Sequence, residues 1–358
     1  MRIHAMKAVA LITITALAQS LAASPDVSFL AVPNGGITPD AEVARDGTVH
    51  VAYVVGENVW YAKITDRTQE FSKPMRVNSE ANRAHAGMFR GPDIALGKSG
   101  RPEIVWYSNG YQRKLPKEDW GALFSRLNDA GDAFDPMKNL NHKPSDNYSI
   151  AANQQGRVTV LWMADGLFMQ ESRDDGVTFG APTKISIADT CECCGSRAEF
   201  LADGTLVCAY RDKRNNERDM YLLSAPRGTA DFTRTKLSET PWVVNACPMT
   251  GNSILSTKSG VVAAWETKTQ IYFARCDARG RKKSATEIAA GKRGGKYPIA
   301  LVSPDGTALV TWKRGNNIEW QLFDVKDQPM GEVQTKTSTN PHRHAAVVAR
   351  DGSFLIFN

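Results

Sequence analysis

The sequence predicts an all-β protein folded as a β-propeller. Three observations predict it: a glycine turn that recurs seven times, an aromatic residue at a near-constant distance after each glycine, and short runs of alternating polarity between the turns. The turn glycines are Gly47, Gly100, Gly156, Gly204, Gly260, Gly306 and Gly352, at intervals of 53, 56, 48, 56, 46 and 46 residues. Each follows a turn-forming residue: Asp46, Ser99, Gln155, Asp203, Ser259, Asp305 or Asp351. The aromatics are Tyr53, Trp106, Trp162, Tyr210, Trp265, Trp312 and Phe357, six residues after the glycine in five repeats and five after it in two.

Each repeat divides into four short strands. In the first they are expected at Asp40–Ala44, Val49–Val54, Val59–Ile64 and Met75–Val77. A unit of this size is a propeller blade, and blades stack because a lone blade cannot bury both of its apolar faces. Six repeats are complete, whereas the seventh, Ala345–Phe357, has only two strands. The segment Val27–Val32 supplies a spare strand. If it joins the seventh repeat, seven blades close into a ring; six blades are the alternative.

Residues 1–23 read as a secretory signal peptide, with Arg2 and Lys7 ahead of an apolar run and Ser20 and Ala22 at the cleavage region. Residues 24–358 are then one propeller domain, exported to the periplasm or beyond. The apolar run is too short to span a bilayer, so no membrane anchor is expected. The net charge of +6 falls to +4 without Arg2 and Lys7. That weak charge points away from nucleic acid as a partner, and a monomer is expected.

The third repeat contains Ser172-Arg173-Asp174-Asp175-Gly176-Val177-Thr178-Phe179. This resembles the Asp-box, Ser-x-Asp-x-Gly-x-Thr-Trp/Phe, of sialidases and other bacterial neuraminidase-repeat proteins. Weaker copies keep Asp129, Gly131 and Phe134 in the second repeat, and Asp66 and Phe71 in the first. The resemblance implies the fold, with the Asp-box as a structural turn: Asp174 accepts turn amides and Phe179 packs between strands. Sialidases also bind the substrate carboxylate with three arginines and use a Tyr–Glu pair and an aspartic acid. Here the N-terminal Arg-Ile-Pro signature is absent. Arg90, Arg197, Arg211 and Arg343 are the candidates for a carboxylate clamp, since a guanidinium matches a carboxylate with two hydrogen bonds. The competing reading of these arginines is salt bridges between blades. Tyr148, Tyr297 and Glu266 are candidates for a nucleophile and base. Arg211-Asp212 and Arg218-Asp219 are expected to form ion pairs at a loop of the fourth repeat.

The most specific chemistry lies in Thr190-Cys191-Glu192-Cys193-Cys194-Gly195, before the fourth repeat, and Ala246-Cys247-Pro248-Met249, before the fifth. Loops that enter the innermost strands of a propeller open on one face, near the central channel. Cys191, Cys193, Cys194 and Cys247 should therefore meet there, on the same face as His85, Met88, His342 and His344. The pattern resembles a subgroup of exported sialidase-like proteins with a Cys-x-Cys-Cys loop and an Ala-Cys-Pro loop. In an oxidising compartment one reading is disulfides, for example Cys247 to a member of the triplet. The other is a soft-metal site of Cys191, Cys193, Cys194, Cys247, Met249 and His344, for copper and less specifically zinc. Cys208 and Cys276 read as buried thiols within strands.

Three functions compete: copper handling in the periplasm, a glycoside hydrolase or lyase resembling exo-sialidases, and a non-catalytic propeller that binds a glycan or protein. The fold hosts all three, so whether the chain is an enzyme is left open. In each case the ligand, a metal ion or a small molecule or glycan, is expected at the channel mouth. Metal handling ranks first, because the fold alone would not produce the cysteine face.

Overall fold

All seven turn glycines adopt positive φ, between 75° and 140°. This left-handed backbone is strained for a residue with a Cβ, which explains why glycine recurs there. The preceding side chains close several of these turns: the Asp46, Asp203, Asp305 and Asp351 carboxylates each accept the amide two residues on. All seven following aromatics are fully buried.

The computed structural model describes residues 25–65, 69–185, 190–229, 231–283 and 287–358. The expected signal peptide and Asp66 lie outside the described residues. Strands form seven sheets, and the only helical segments among the described residues are single 3-10 turns. Blade 1 comprises Ile37–Val43, Val49–Val55, Asn58–Ile64 and Met75–Arg76. Blades 2 to 6 repeat this four-stranded antiparallel meander, with innermost strands Asp93–Leu96, Asp146–Ala152, Arg197–Phe200, Asn252–Thr257 and Lys296–Val302. Blade 7 pairs Ala345–Val348 with Phe354–Phe357 and takes its third strand from Val27–Leu30. The ring therefore has seven blades and closes between the two ends of the chain. That third strand runs parallel to its neighbour, Val27 opposite Phe354 and Leu30 opposite Phe357.

Seven apolar clusters fill the ring, one at each blade junction. The recurrent aromatics belong to them, with Trp265 between blades 4 and 5 and Phe357 between blades 7 and 1. Cys208 and Cys276 are buried in different clusters, blades 3–4 and 4–5, and burial pushes each thiol up to about 12.

The Asp-box is a closed turn on the face opposite the innermost-strand entries. The Asp174 carboxylate accepts the Thr178 amide at 2.8 Å and the Thr178 hydroxyl at 2.6 Å, which lower its pKa to about 2. Phe179 meets Phe124 edge-on at 5.0 Å. Asp175 reaches into blade 2, accepting Lys98 N and Arg101 Nε at 2.7 Å each. Beside it lies Glu103, fully buried, with neither carboxyl oxygen hydrogen-bonded. Burial and the Asp175 charge push Glu103 up to about 9.

Truncating a junction aromatic should be costly throughout the ring: Trp265→Ala is expected to lose about 3–5 kcal/mol in denaturant unfolding. A loss below about 1 kcal/mol would show that this junction is not close-packed. Glu103 gives a pH signature. Its folded pKa lies above its unfolded value near 4.5, so its penalty is absent at low pH and grows as pH rises towards 9. Glu103→Gln should therefore stabilise the protein at pH 8 by on the order of 1–3 kcal/mol and leave it nearly unchanged at pH 4. Equal melting shifts at the two pH values would rule this out.

Candidate functional site

The innermost strands begin at one mouth of the ring, and the loops that feed them build two adjoining features there. One is the cysteine face. The other is a cavity of about 370 Å³ in the central channel.

The cysteine loop is tied to three blades. Thr190 bridges to Asp212, and Cys191 N donates to the Arg211 carbonyl at 2.9 Å, which fixes the loop along its own blade. The Asn147 side chain of blade 3 holds the Glu192 carbonyl. Gly195 N donates to Thr250 O at 2.9 Å, and Asn252 Nδ2 donates back to Gly195 O. Gly195 and Gly251 approach so closely that a Cβ on Gly195 would stand 3.3 Å from the Gly251 Cα. The Cys-x-Cys-Cys and Ala-Cys-Pro loops thus meet across one blade junction.

All six cysteines are free thiols. The Sγ atoms of Cys191, Cys193 and Cys194 lie within 4.8 Å of one another. Cys191 Sγ is 3.2 Å from Cys194 Sγ and 3.5 Å from Cys193 Sγ. Cys191 and Cys194 are buried, Cys193 is half-buried, and Cys247 is exposed. Cys247 interacts with Cys193, whose hydrogen bond, together with partial burial, pushes the Cys247 thiol up. Among the described residues, no other His, Cys, Asp or Glu joins the triplet within that radius.

Within the group, Cys194 is the thiol whose pKa is lowered. Burial alone would raise its pKa. The Cys191 and Cys193 thiols, the Arg211 guanidinium and a Thr250 backbone hydrogen bond outweigh that penalty and hold Cys194 well below the usual thiol value. Cys191, which donates to Cys194 Sγ and lies in hydrogen-bond contact with Cys193 Sγ, is pushed up by these contacts and by burial.

Arg211 is fully buried and packs 4.9 Å from the Trp242 ring. It donates to the Arg218 and Glu266 carbonyls, while its Nε has no partner. Arg218 is also buried, with Nε and Nη1 unpaired. The expected pairs Arg211–Asp212 and Arg218–Asp219 do not form: Asp212 pairs with Arg234, and Asp219 pairs with Lys236 at 2.6 Å. Arg211 and Arg218 are the only arginines in the buried class among the described residues, and neither has a carboxylate partner.

The other three clamp candidates do have carboxylates. Arg90 holds Asp146 through Nε at 2.9 Å. Arg197 binds Asp40 and Asp93, each at 2.5 Å, and Arg343 reaches Asp93 at 3.2 Å. These are salt bridges between blades, and those of Arg197 cross the channel from blade 4 to blades 1 and 2. They occupy the guanidinium faces that a substrate carboxylate would need. His344 also stands apart from the sulfurs. It lines the cavity, its Nε2 is 3.1 Å from Thr311 Oγ1, and burial lowers its pKa to about 3. Met249 follows Cys247 on the loop in a left-handed conformation, φ 48°. His342 Nδ1 accepts Met88 N at 2.9 Å, joining the loops before blades 7 and 2.

Three innermost strands enter through a register break, in blades 1, 3 and 6, and each break carries a non-glycine residue at positive φ: Thr38, Asn147 and Tyr297. Such bulges re-aim side chains at a mouth. Tyr297 lines the cavity, and burial and the Glu266 carboxylate raise its pKa. Glu266 itself is fully buried and paired with Lys296 at 2.9 Å. Tyr148 lines the cavity too, its hydroxyl donating to Ser145 O at 2.9 Å.

Sequence reading missed Asp40, Asp93, Glu42 and Glu199 of the channel. Their signal was present in the alternation of the innermost strands, where Asp40 and Glu42, or Arg197 and Glu199, fall two apart and share one side.

This geometry defines a seven-bladed β-propeller. No family model and no curated protein matches the chain, and the likeness is structural. A polysaccharide lyase, ulvan lyase of family PL25 bound to -[GlcA(1-4)Rha3S]-, superposes with TM-score 0.56 at 13% identity, over 87% of this chain and 87% of that one. The Penicillium chrysogenum alpha-L-arabinanase complexed with arabinobiose gives 0.53 at 14% identity, over 83% and 95%. The intramolecular trans-sialidase of Ruminococcus gnavus, in complex with oseltamivir carboxylate, gives 0.53 at 12% identity, over 82% and 95%. At these identities the likeness establishes the fold.

If Arg211 is the counter-charge of Cys194, Arg211→Met should raise the Cys194 pKa. The pH dependence of alkylation, measured with Cys193→Ser and Cys247→Ser so that the more exposed thiols are gone, reads this shift. An unchanged profile would assign Arg211 to packing alone.

Proposed function

We propose that this chain handles copper in the periplasm, binding copper(I) through Cys191, Cys193 and Cys194, with Cys247 as the thiol on the solvent side. On this reading it is an exported monomer, and it represents the subgroup of sialidase-like propellers that carry the paired cysteine loops. The observation that carries the proposal is the thiol triplet, gathered within 4.8 Å, beside a buried guanidinium without a carboxylate. Soft thiolates select copper(I), and zinc in structural sites completes a tetrahedron of four ligands. Three thiolates around a monovalent ion leave a net charge of about −2 in a half-buried site, which is costly without counter-charge. Arg211 lies beside Cys194, and Arg218 beside Cys247. Met249 and His344 are not needed for this set.

Reduced protein titrated anaerobically with copper(I) against a chromophoric chelator should take up one ion per chain. Cys191→Ser with Cys194→Ser should weaken binding by at least about 100-fold, since losing even an outer-shell partner of a metal ligand costs about 10–100-fold. Stoichiometric binding that persists in that double variant would refute the assignment.

A second reading, glycan hydrolysis or lysis, draws support from Tyr297 beside Glu266 at the channel mouth and from the fold. Aryl glycosides of sialic and uronic acids would test it. Turnover lost in Tyr297→Phe would establish it, and no turnover at high protein concentration would leave it without support.

A further inference from the structure

The channel cavity has a charge imbalance that the ion pairs at its mouth do not correct. Its charged lining consists of Asp40, Glu42, Asp93 and Glu199 against Arg197 and Arg343. The two arginines are engaged by the two aspartates. Glu42 and Glu199 remain, projecting from the innermost strands of blades 1 and 4, each two residues beyond Asp40 or Arg197. Glu199 accepts Ser256 N at 2.6 Å. Glu42 makes no hydrogen bond or ion pair among the described residues. Each of these strands faces the other, and the two carboxyls repel: Glu42 is pushed well up by burial and by Glu199, and Glu199 is raised to about 7, chiefly by burial. His344 stays neutral and adds no positive charge.

Two further observations point to a ligand. Buried polar atoms on the same lining lack partners: His344 Nδ1, Asp93 Oδ2 and Asn252 Oδ1. The other side of the cavity, from blades 5 to 7, carries no carboxylate and sets Ile254, Ile299, Leu301 and Val347 among Asn252, Ser253 and Ser256. A cavity of about 370 Å³ lies within the range of small-molecule sites. A hydrated metal ion or a neutral sugar would leave either the aliphatic side chains or the excess carboxylate uncomplemented.

We infer that the channel cavity binds a small organic cation, a primary ammonium on an apolar body, with the ammonium seated on Glu42 and Glu199 and the body against the wall of blades 5 to 7. This site is separate from the cysteine face and does not depend on the copper reading. Binding favours the ionised carboxyls, so it releases protons near neutral pH and weakens as pH falls through the Glu199 pKa. Asp40, Asp93, Arg197, Arg343, His344, Tyr107, Tyr148 and Tyr297 are the other charged or titratable groups on the lining. Ion pairs with Arg197 and Arg343 hold Asp40 down, burial raises Asp93 despite its own pairs, burial raises the three tyrosines, and His344 does not titrate in this range.

The test is calorimetric titration of the full chain with n-butylammonium chloride, alongside butan-1-ol and sodium butyrate. Butylammonium should bind at pH 8 and bind at least about 10-fold more weakly at pH 5, about 1.4 kcal/mol. Paired buffers of different ionisation enthalpy at pH 7 should report proton release, and Glu199→Gln should weaken binding by a similar factor. Equal affinity for butylammonium and butan-1-ol, no proton release, or unchanged affinity in a folded Glu199→Gln variant would each overturn the inference. Alkylating the cysteines should leave butylammonium binding intact, which separates this result from the fate of the copper proposal.

Discussion

A propeller blade has two apolar faces and no means of covering either by itself, and closure of the ring is the constraint on which everything else here depends. Six of the seven junctions bury recurrent aromatics, the one between blades 7 and 1 taking both Tyr53 and Phe357, and blade 7 is completed where Val27–Leu30 pairs with the C-terminal strand. Once the ring is shut, the innermost strands are held around the axis and their starts share one mouth. Charges from distant parts of the chain are then brought together. Arg197 meets Asp40 across 157 residues of sequence, and Arg343 meets Asp93 across 250. These pairs bind non-adjacent blades to one another, so they reinforce a closure that junction packing already imposes.

What the sequence reveals and conceals follows from the range of the interactions involved. The glycine turns and their aromatics are local features, since a positive φ and a buried ring leave the same mark in each repeat. The Asp-box is local for the same reason, because Asp174 and Thr178 bond within one turn. The meeting of the two cysteine loops could be anticipated once the repeat was known, because the fold dictates where such loops open. The ion pairs could not. Arg90, Arg197 and Arg343 look equally available in sequence, and only the folded ring shows which aspartates hold them. The parallel sense of Val27–Leu30 was hidden in the same way, because strand pattern carries no direction.

The arginines also set the electrostatic surroundings of the cysteine triplet apart from the rest of the mouth. An anionic sulfur cluster in a half-buried loop needs positive charge that no carboxylate has already neutralised. Elsewhere at the mouth, Arg90, Arg197 and Arg343 are neutralised by aspartates. Beside the sulfurs the potential partners are diverted: Asp212 turns to Arg234 and Asp219 to Lys236, both on the outer strand of blade 4. Arg211 and Arg218 are thereby left buried and unquenched. Three cysteines on another entry loop would share the spacing and lack this field, and their thiols would stay protonated by burial, as Cys208 and Cys276 do. The charge on this face therefore depends on two aspartates whose carboxylates pair away from it.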